Sequence, residues 1–211
     1  MSAGLTVVVD YGLCNIDSMA RALEECGARE VVRTRDPRMV GKAERIVLPG
    51  VGNFAAAMRN IREFGLFDVI QEASTRNTPF LGACLGMQLM AASGSEGAAN
   101  GATPGLGLVP GEVVRLAPAN GDERIPHIGW NEVVPRHGSV LFEGAEASDF
   151  YFVHSFHVRL GDAKDEGGRT PYCGGFTAAI EAAGRPIFGT QFHPEKSQKS
   201  GFRVLKNFLA V

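Results

Sequence analysis

Long apolar runs are missing from this 211-residue chain, and with them any stretch able to cross a bilayer as a helix. Cysteine is scarce. Cys14, Cys26, Cys84 and Cys173 show neither the paired spacing of metal ligands nor a dense disulfide framework. An excess of charge of either sign is lacking too: the formal net charge of −2 gives no reason to expect nucleic acid or an anionic membrane as the main partner. The N-terminal residues have no basic stretch ahead of an apolar segment, so no signal peptide is read there and a reduced, cytoplasmic setting is the expectation. No internal repeat, low-complexity tract or long linker divides the chain, which predicts one domain over 1–211 with a substantial core.

What is present falls into two halves. In the first, short apolar runs at Leu5–Val9, Val31–Val32, Arg45–Leu48 and Phe80–Ala83 read as strands. Helical patterns stand between them: Asn15–Cys26, with Asn15 as its cap, then Phe54–Phe64 and Phe67–Arg76. That alternation predicts a parallel sheet covered on both faces, with ligand sites beyond the C-terminal ends of the strands. In the second half Glu112–Leu116, Trp130–Val134, Phe150–Val158, Gly175–Glu181 and Pro186–Phe192 read as strands without intervening helices, an antiparallel or mixed portion packed on the parallel core. Gly94–Gly107 reads as a surface loop, and Gly201–Leu209 as a closing amphipathic helix.

The stretch richest in chemical meaning is Gly82-Ala83-Cys84-Leu85-Gly86, set between a strand and a helix. A nucleophile between two glycines at such a turn has the pattern of a nucleophile elbow, and a helix N-terminus favours the thiolate. The same turn could hold Cys84 as an inert buried side chain; a base elsewhere has to decide. Of five histidines, His193 has the best context. It ends a strand, precedes Pro194, and stands two residues before Glu195, so that on an extended chain the carboxylate can hold one ring nitrogen while the other faces Cys84. A metal site is the competing reading of His and Glu. It lacks further ligands at a recognisable spacing, and His154 and His157, three residues apart on one predicted strand, would point to opposite faces. For a developing oxyanion the elbow offers the Leu85 amide, and the glycines of Pro49-Gly50-Val51-Gly52 make that loop the second candidate; a plain strand-to-helix turn fits it as well.

Gly82–Gln88 followed by His193-Pro194-Glu195 resembles the class I, triad-type glutamine amidotransferases, and within them the glutaminase subunits of imidazole glycerol phosphate synthases. Asp10-Tyr11-Gly12 with Asn15, Leu48–Gly52, Pro126–Asn131, Tyr151–Ser155 and Gln191–Gln198 extend the resemblance from end to end. It implies an α/β three-layer sandwich with a mixed, largely parallel central sheet. It implies that Cys84 attacks the glutamine carboxamide, His193 shuttles the proton and Glu195 orients His193. Gln88 and Glu96 would hold the substrate's polar ends, Glu96 suiting the α-ammonium, and the backbone at Ser155 and Phe156 would face the α-carboxylate. Gly50, Val51 and Gly52 would be the oxyanion strand, which in this family can need a partner to adopt its active form. The partner implied is a (β/α)8 cyclase forming imidazole glycerol phosphate and AICAR in histidine biosynthesis, docked on Trp130, Asn131, Tyr151 and Lys196, with no cofactor. The chain departs from the family pattern where Cys14 replaces a common glycine and Phe156 a common tyrosine, which leaves open a second acceptor, an amidated sugar of surface polysaccharide.

Overall fold

Val7, Val8 and Val9 are all fully buried, which a strand achieves only when both faces of its sheet are covered. A computed structural model of the chain describes residues 4–99, 101–145 and 147–211. Its first half runs β1 (Leu5–Val9), α1 (Ile16–Glu25), β2 (Glu30–Thr34), α2 (Pro37–Val40), β3 (Arg45–Gly50), α3 (Phe54–Glu63), α4 (Leu66–Thr75), β4 (Phe80–Cys84) and α5 (Leu85–Leu89). Then come β5 (Ser93–Gly94), β6 (Thr103–Pro104), β7 (Gly111–Arg115), β8 (His127–Pro135), β9 (Ser148–His154) and β10 (Phe156–Leu160). The chain closes with β11 (Glu166–Thr170), β12 (Phe176–Glu181), β13 (Ile187–Thr190) and α6 (Gln198–Leu209).

Nine strands form one sheet in the order β2-β1-β3-β4-β13-β12-β11-β8-β9. The neighbours from β2 to β13 are parallel and those from β13 to β9 antiparallel, so the sheet is mixed. Alternate residues of one strand enter different cores: Val7, Ile46 and Leu48 pack with Phe54, Met58 and Ile70 on one side, and Val8, Val47 and Leu81 with Met19, Leu23 and Phe208 on the other. The period-two alternation of a strand thus produces three layers, with α3 and α4 on one face and α1 and α6 on the opposite one. A smaller sheet, β10-β7-β5-β6, flanks the C-terminal ends of the parallel strands.

Several sequence expectations change in the structure. The run Phe150–Val158 is two strands: the chain leaves the ladder at Ser155, β9 pairing with β8 in the large sheet and β10 with β7 in the small one. His154 and His157 are therefore not on one strand, and both rings lie against Phe176, at 5.1 and 5.6 Å between centroids. Gly94–Gly107, of which residue 100 lies outside the described residues, is more than a surface loop, for β5 pairs with β6 and Leu106 is buried. Strand β11 has no apolar pattern to announce it; it carries two glycines and forms because β12 and β8 flank it. Asn15 precedes α1 but its side chain makes no capping bond.

Packing is close at the elbow. Cys84 has φ +52°, a strained conformation for a residue with a Cβ, and α5 begins at the very next position. The turn closes because Gly86 lies against the Leu48 carbonyl and Gly82 against the backbone of Gly86 and Met87; a Cβ on either glycine would overlap those backbone atoms. Backbone cannot step aside as a flexible side chain can. Gly86→Ala is therefore expected to cost about 3 kcal/mol or more, read as a lowered denaturant midpoint. An unchanged midpoint would mean that the turn does not need this close approach.

Candidate functional site

Strand β4 delivers Cys84 to the C-terminal edge of the sheet, and β3, in register beside it, sets Gly50 opposite Cys84. Strand β13 runs parallel to β4 on the other side, and three residues past its end comes His193. The parallel register carries residues far apart in sequence to one rim, where open α/β sheets place their sites.

His193 Nδ1 lies 2.8 Å from Glu195 Oε1, and both side chains are buried. Pro194 starts a short helical turn after His193 that brings the carboxylate back to the ring. Burial opposes the imidazolium, but the neighbouring Cys84 thiol and Glu195 carboxylate more than offset it and raise the His193 pKa. The buried Nε2 of His193 and Oε2 of Glu195 make no bond of hydrogen-bond geometry among the described residues. The ring is thus held at one nitrogen and left uncommitted at the other. Backbone bonds fix it from below: the His193 amide donates to the Tyr151 carbonyl at 3.0 Å, and Ser197 Oγ donates to the His193 carbonyl at 2.6 Å.

A pocket of about 230 Å³ opens over Cys84. Val51, Gly52, Leu85, Gln88, Glu96, Ser155 and Phe156 line it, so elements from both sheets bring the expected substrate-binding residues to one cavity. Gln88 Nε2 donates to the Phe156 carbonyl at 2.7 Å and to Gln191 Oε1 at 3.1 Å. Glu96 accepts the Phe54 amide at the start of α3, and partial burial raises its pKa despite that bond. One amide of the expected oxyanion strand is engaged elsewhere. The Val51 amide donates to the Leu13 carbonyl at 2.9 Å, so in this conformation it is committed away from any oxyanion at Cys84.

Gln191, whose Nε2 lies 3.8 Å from Cys84 Sγ, and His154, which lines the pocket, were not among the expected site residues. Gln191 sits in an apolar strand-end run that hides its polarity, and the fold at Ser155 is what brings His154 round. Cys14 is a poor nucleophile, since burial and the nearby Asp10 push its pKa up to about 11. Trp130 is half-exposed beside Ile128 and Val134, with Tyr151 at 6.0 Å between ring centroids and Lys196 Nζ 5.9 Å from the Tyr151 ring. Asn131, next in the strand, turns to the opposite face and bonds His127. Among the described residues no group of three or more His, Cys, Asp or Glu is placed to hold a metal ion, and no helix is long and apolar enough to cross a membrane.

Known proteins resemble the chain along nearly its whole length. The chain is 43% identical over 213 residues to the imidazole glycerol phosphate synthase subunit HisH of Cereibacter sphaeroides, covering 97% of this chain and 98% of the relative. It is 44% identical to the same-named subunit of Aquifex aeolicus, covering 96% and 95%. Solved structures share the fold at lower identity. PurLQS of Thermotoga maritima matches with TM-score 0.73 at 20% identity over 99% of both chains. A glutamine amidotransferase of the same organism matches with TM-score 0.63 at 18% identity, covering 96% of this chain and 81% of that one. The model of the family glutamine amidotransferase class-I matches residues 7–211, and with relatives this similar along nearly the whole chain the protein belongs to that family of glutamine-hydrolysing enzymes.

Proposed function

We propose that the chain is the glutaminase subunit of an imidazole glycerol phosphate synthase, with Cys84 as nucleophile, His193 as acid and base, and Glu195 as the group that orients His193. The observation that carries the proposal is the uncommitted His193 Nε2 beside Cys84 at the base of a pocket built for a small polar molecule. His193 takes the thiol proton of Cys84 as the sulfur attacks the carboxamide carbon of glutamine, and the carbonyl π electrons move onto oxygen. His193 protonates the departing nitrogen, ammonia leaves, and a thioester remains. Water, its proton taken by His193, adds to the thioester; glutamate leaves and the cysteine is restored. The Glu96 carboxylate faces the substrate ammonium, and the carboxylate end lies by Ser155 and Phe156.

The oxyanion is the incomplete part. Leu85 heads α5 at the elbow, whereas the Val51 amide is held by Leu13. A partner that turned this amide toward Cys84 would switch the enzyme on only when ammonia has somewhere to go. The patch of Ile128, Trp130, Tyr151 and Lys196 is suited to that partner, a (β/α)8 cyclase receiving the ammonia; Ile128 is 62% and Trp130 47% exposed, in a strand that also carries the buried His127 and Val133. Two relatives named as HisH subunits favour histidine biosynthesis as the pathway over an amidated-sugar acceptor.

Cys84→Ala is expected to abolish glutamate release, by about 10⁴-fold or more in kcat, and Glu195→Gln to lower it by a smaller factor; retained turnover in Cys84→Ala would refute the assignment. A glutamine-like electrophile should label Cys84 and leave Cys14 unmodified, as peptide mass mapping would show. Adding the synthase partner should raise glutaminase kcat on the order of 10²-fold, the worth of one oxyanion donor. Equal rates with and without the partner would show that the Val51 amide plays no such part.

A further inference from the structure

Two buried histidines, His154 in the pocket wall and His127 behind it, join in a continuous chain of hydrogen bonds. His154 Nδ1 lies 2.8 Å from the Phe156 carbonyl oxygen, which can only accept, so this nitrogen carries the proton. In the neutral ring His154 Nε2 is then an acceptor, and its neighbour at 3.2 Å, His127 Nδ1, must donate to it. That leaves His127 Nε2 as an acceptor, matched by the Asn131 Nδ2 at 2.8 Å. Every proton points one way: Asn131 to His127, His127 to His154, His154 to the Phe156 carbonyl. Burial keeps both rings neutral by lowering their pKa values, to about 4 for His127 and about 3 for His154. His127 is also clamped between Tyr172 and Phe152, with ring centroids 4.0 and 4.7 Å away.

The inner end of this chain meets the chemistry. The Phe156 carbonyl takes a second bond from Gln88, Gln88 donates also to Gln191, and the Gln191 amide points at Cys84 Sγ. We propose that His127 and His154, both fixed as Nδ1–H tautomers, are positioning residues for the glutamine site, holding the Phe156 carbonyl and through it the Gln88 amide. The inference rests on the reading of the pocket as the glutamine site. His154 lines the pocket and His127 lies behind it; the role assigned to the pair is in how substrate is held and not in proton transfer. Because the polarity is continuous, an Asn131 amide turned end for end would offer an acceptor to an acceptor and weaken the whole series.

Two measurements test this. Heteronuclear NMR of the imidazole nitrogens in the wild-type chain should show His127 and His154 protonated at Nδ1 alone, the minority form of a free imidazole; protonation at Nε2 of either ring overturns the proposal whatever the enzyme's activity. In the complex with the synthase partner, His127→Phe keeps the stack on Tyr172 and Phe152 but removes the donor to His154. It should raise KM for glutamine about tenfold, the worth of one buried hydrogen bond, with kcat within about twofold of wild type. His154→Asn, which retains a donor near the Phe156 carbonyl, should recover part of the KM lost in His154→Phe. An unchanged KM in His127→Phe, a fall in kcat alone, or no difference between the two His154 variants counts against positioning. A wild-type complex that does not hydrolyse glutamine would fail the pocket reading instead, while the tautomers would still decide the chain.

Discussion

The positive φ of Cys84 is the constraint on which the arrangement of the site depends. It lets a strand buried on both faces pass into a helix without a connecting residue, so the thiol stands at the rim of the sheet instead of inside it. A residue held in that region of backbone space stays there only when its surroundings over-determine it. Here they do so through contact of backbone with backbone: Gly86 against Leu48, and Gly82 against Gly86 and Met87. The same closeness ties the strand carrying Gly50 and Val51 to the strand carrying Cys84, since Gly50 and Cys84 are register partners. Cys84, the proposed nucleophile, and the strand leading to the loop proposed to stabilise its oxyanion are therefore parts of one ladder, and the Val51 amide just beyond it is held by the Leu13 carbonyl.

The antiparallel half of the sheet ties the exposed patch to the same rim. Strand β9 contributes Tyr151 to the patch, while the Tyr151 carbonyl accepts the amide of His193 and the Tyr151 amide donates to Ser197 Oγ. Ser197 Oγ in turn donates to the His193 carbonyl. Three bonds among three residues thus tie a surface strand to the turn that carries His193 and Glu195. The patch is thereby joined by hydrogen bonds to the turn that carries the proposed base.

The sequence made the first half of the fold legible because its strands are buried on both faces and so appear as unbroken apolar runs between helices of clear period. The elbow and the His-Pro-Glu turn were legible for a related reason: glycine and proline mark backbone turns at which a side chain is presented. The second half hid what depends on tertiary pairing. Nothing in Phe150–Val158 shows that Ser155 is where the chain changes sheets, because apolar residues run on through both strands and it is their partners that differ. Strand β11, with Gly167 and Gly168, is a strand by virtue of its neighbours alone. Which nitrogen of His127 bears a proton, and which way the Val51 amide points, are facts of hydrogen bonding that no residue pattern encodes.

Four cysteines at different depths show why one of them is set apart. Cys14, Cys26 and Cys173 are all partly buried, and in each desolvation raises the thiol pKa, to about 11 for the first two. Cys14 has the carboxylate of Asp10 beside it and donates weakly to it, an arrangement that favours the neutral thiol. Cys84 is more buried than any of them. Its surroundings differ in sign: a ring whose positive charge Glu195 supports, the Gln191 amide directed at the sulfur, and the start of α5. Burial without those partners leaves a packing residue, as at Cys14; burial with them suits the nucleophile proposed for Cys84. The distinction lies in the neighbours, and the elbow serves to bring the sulfur among them.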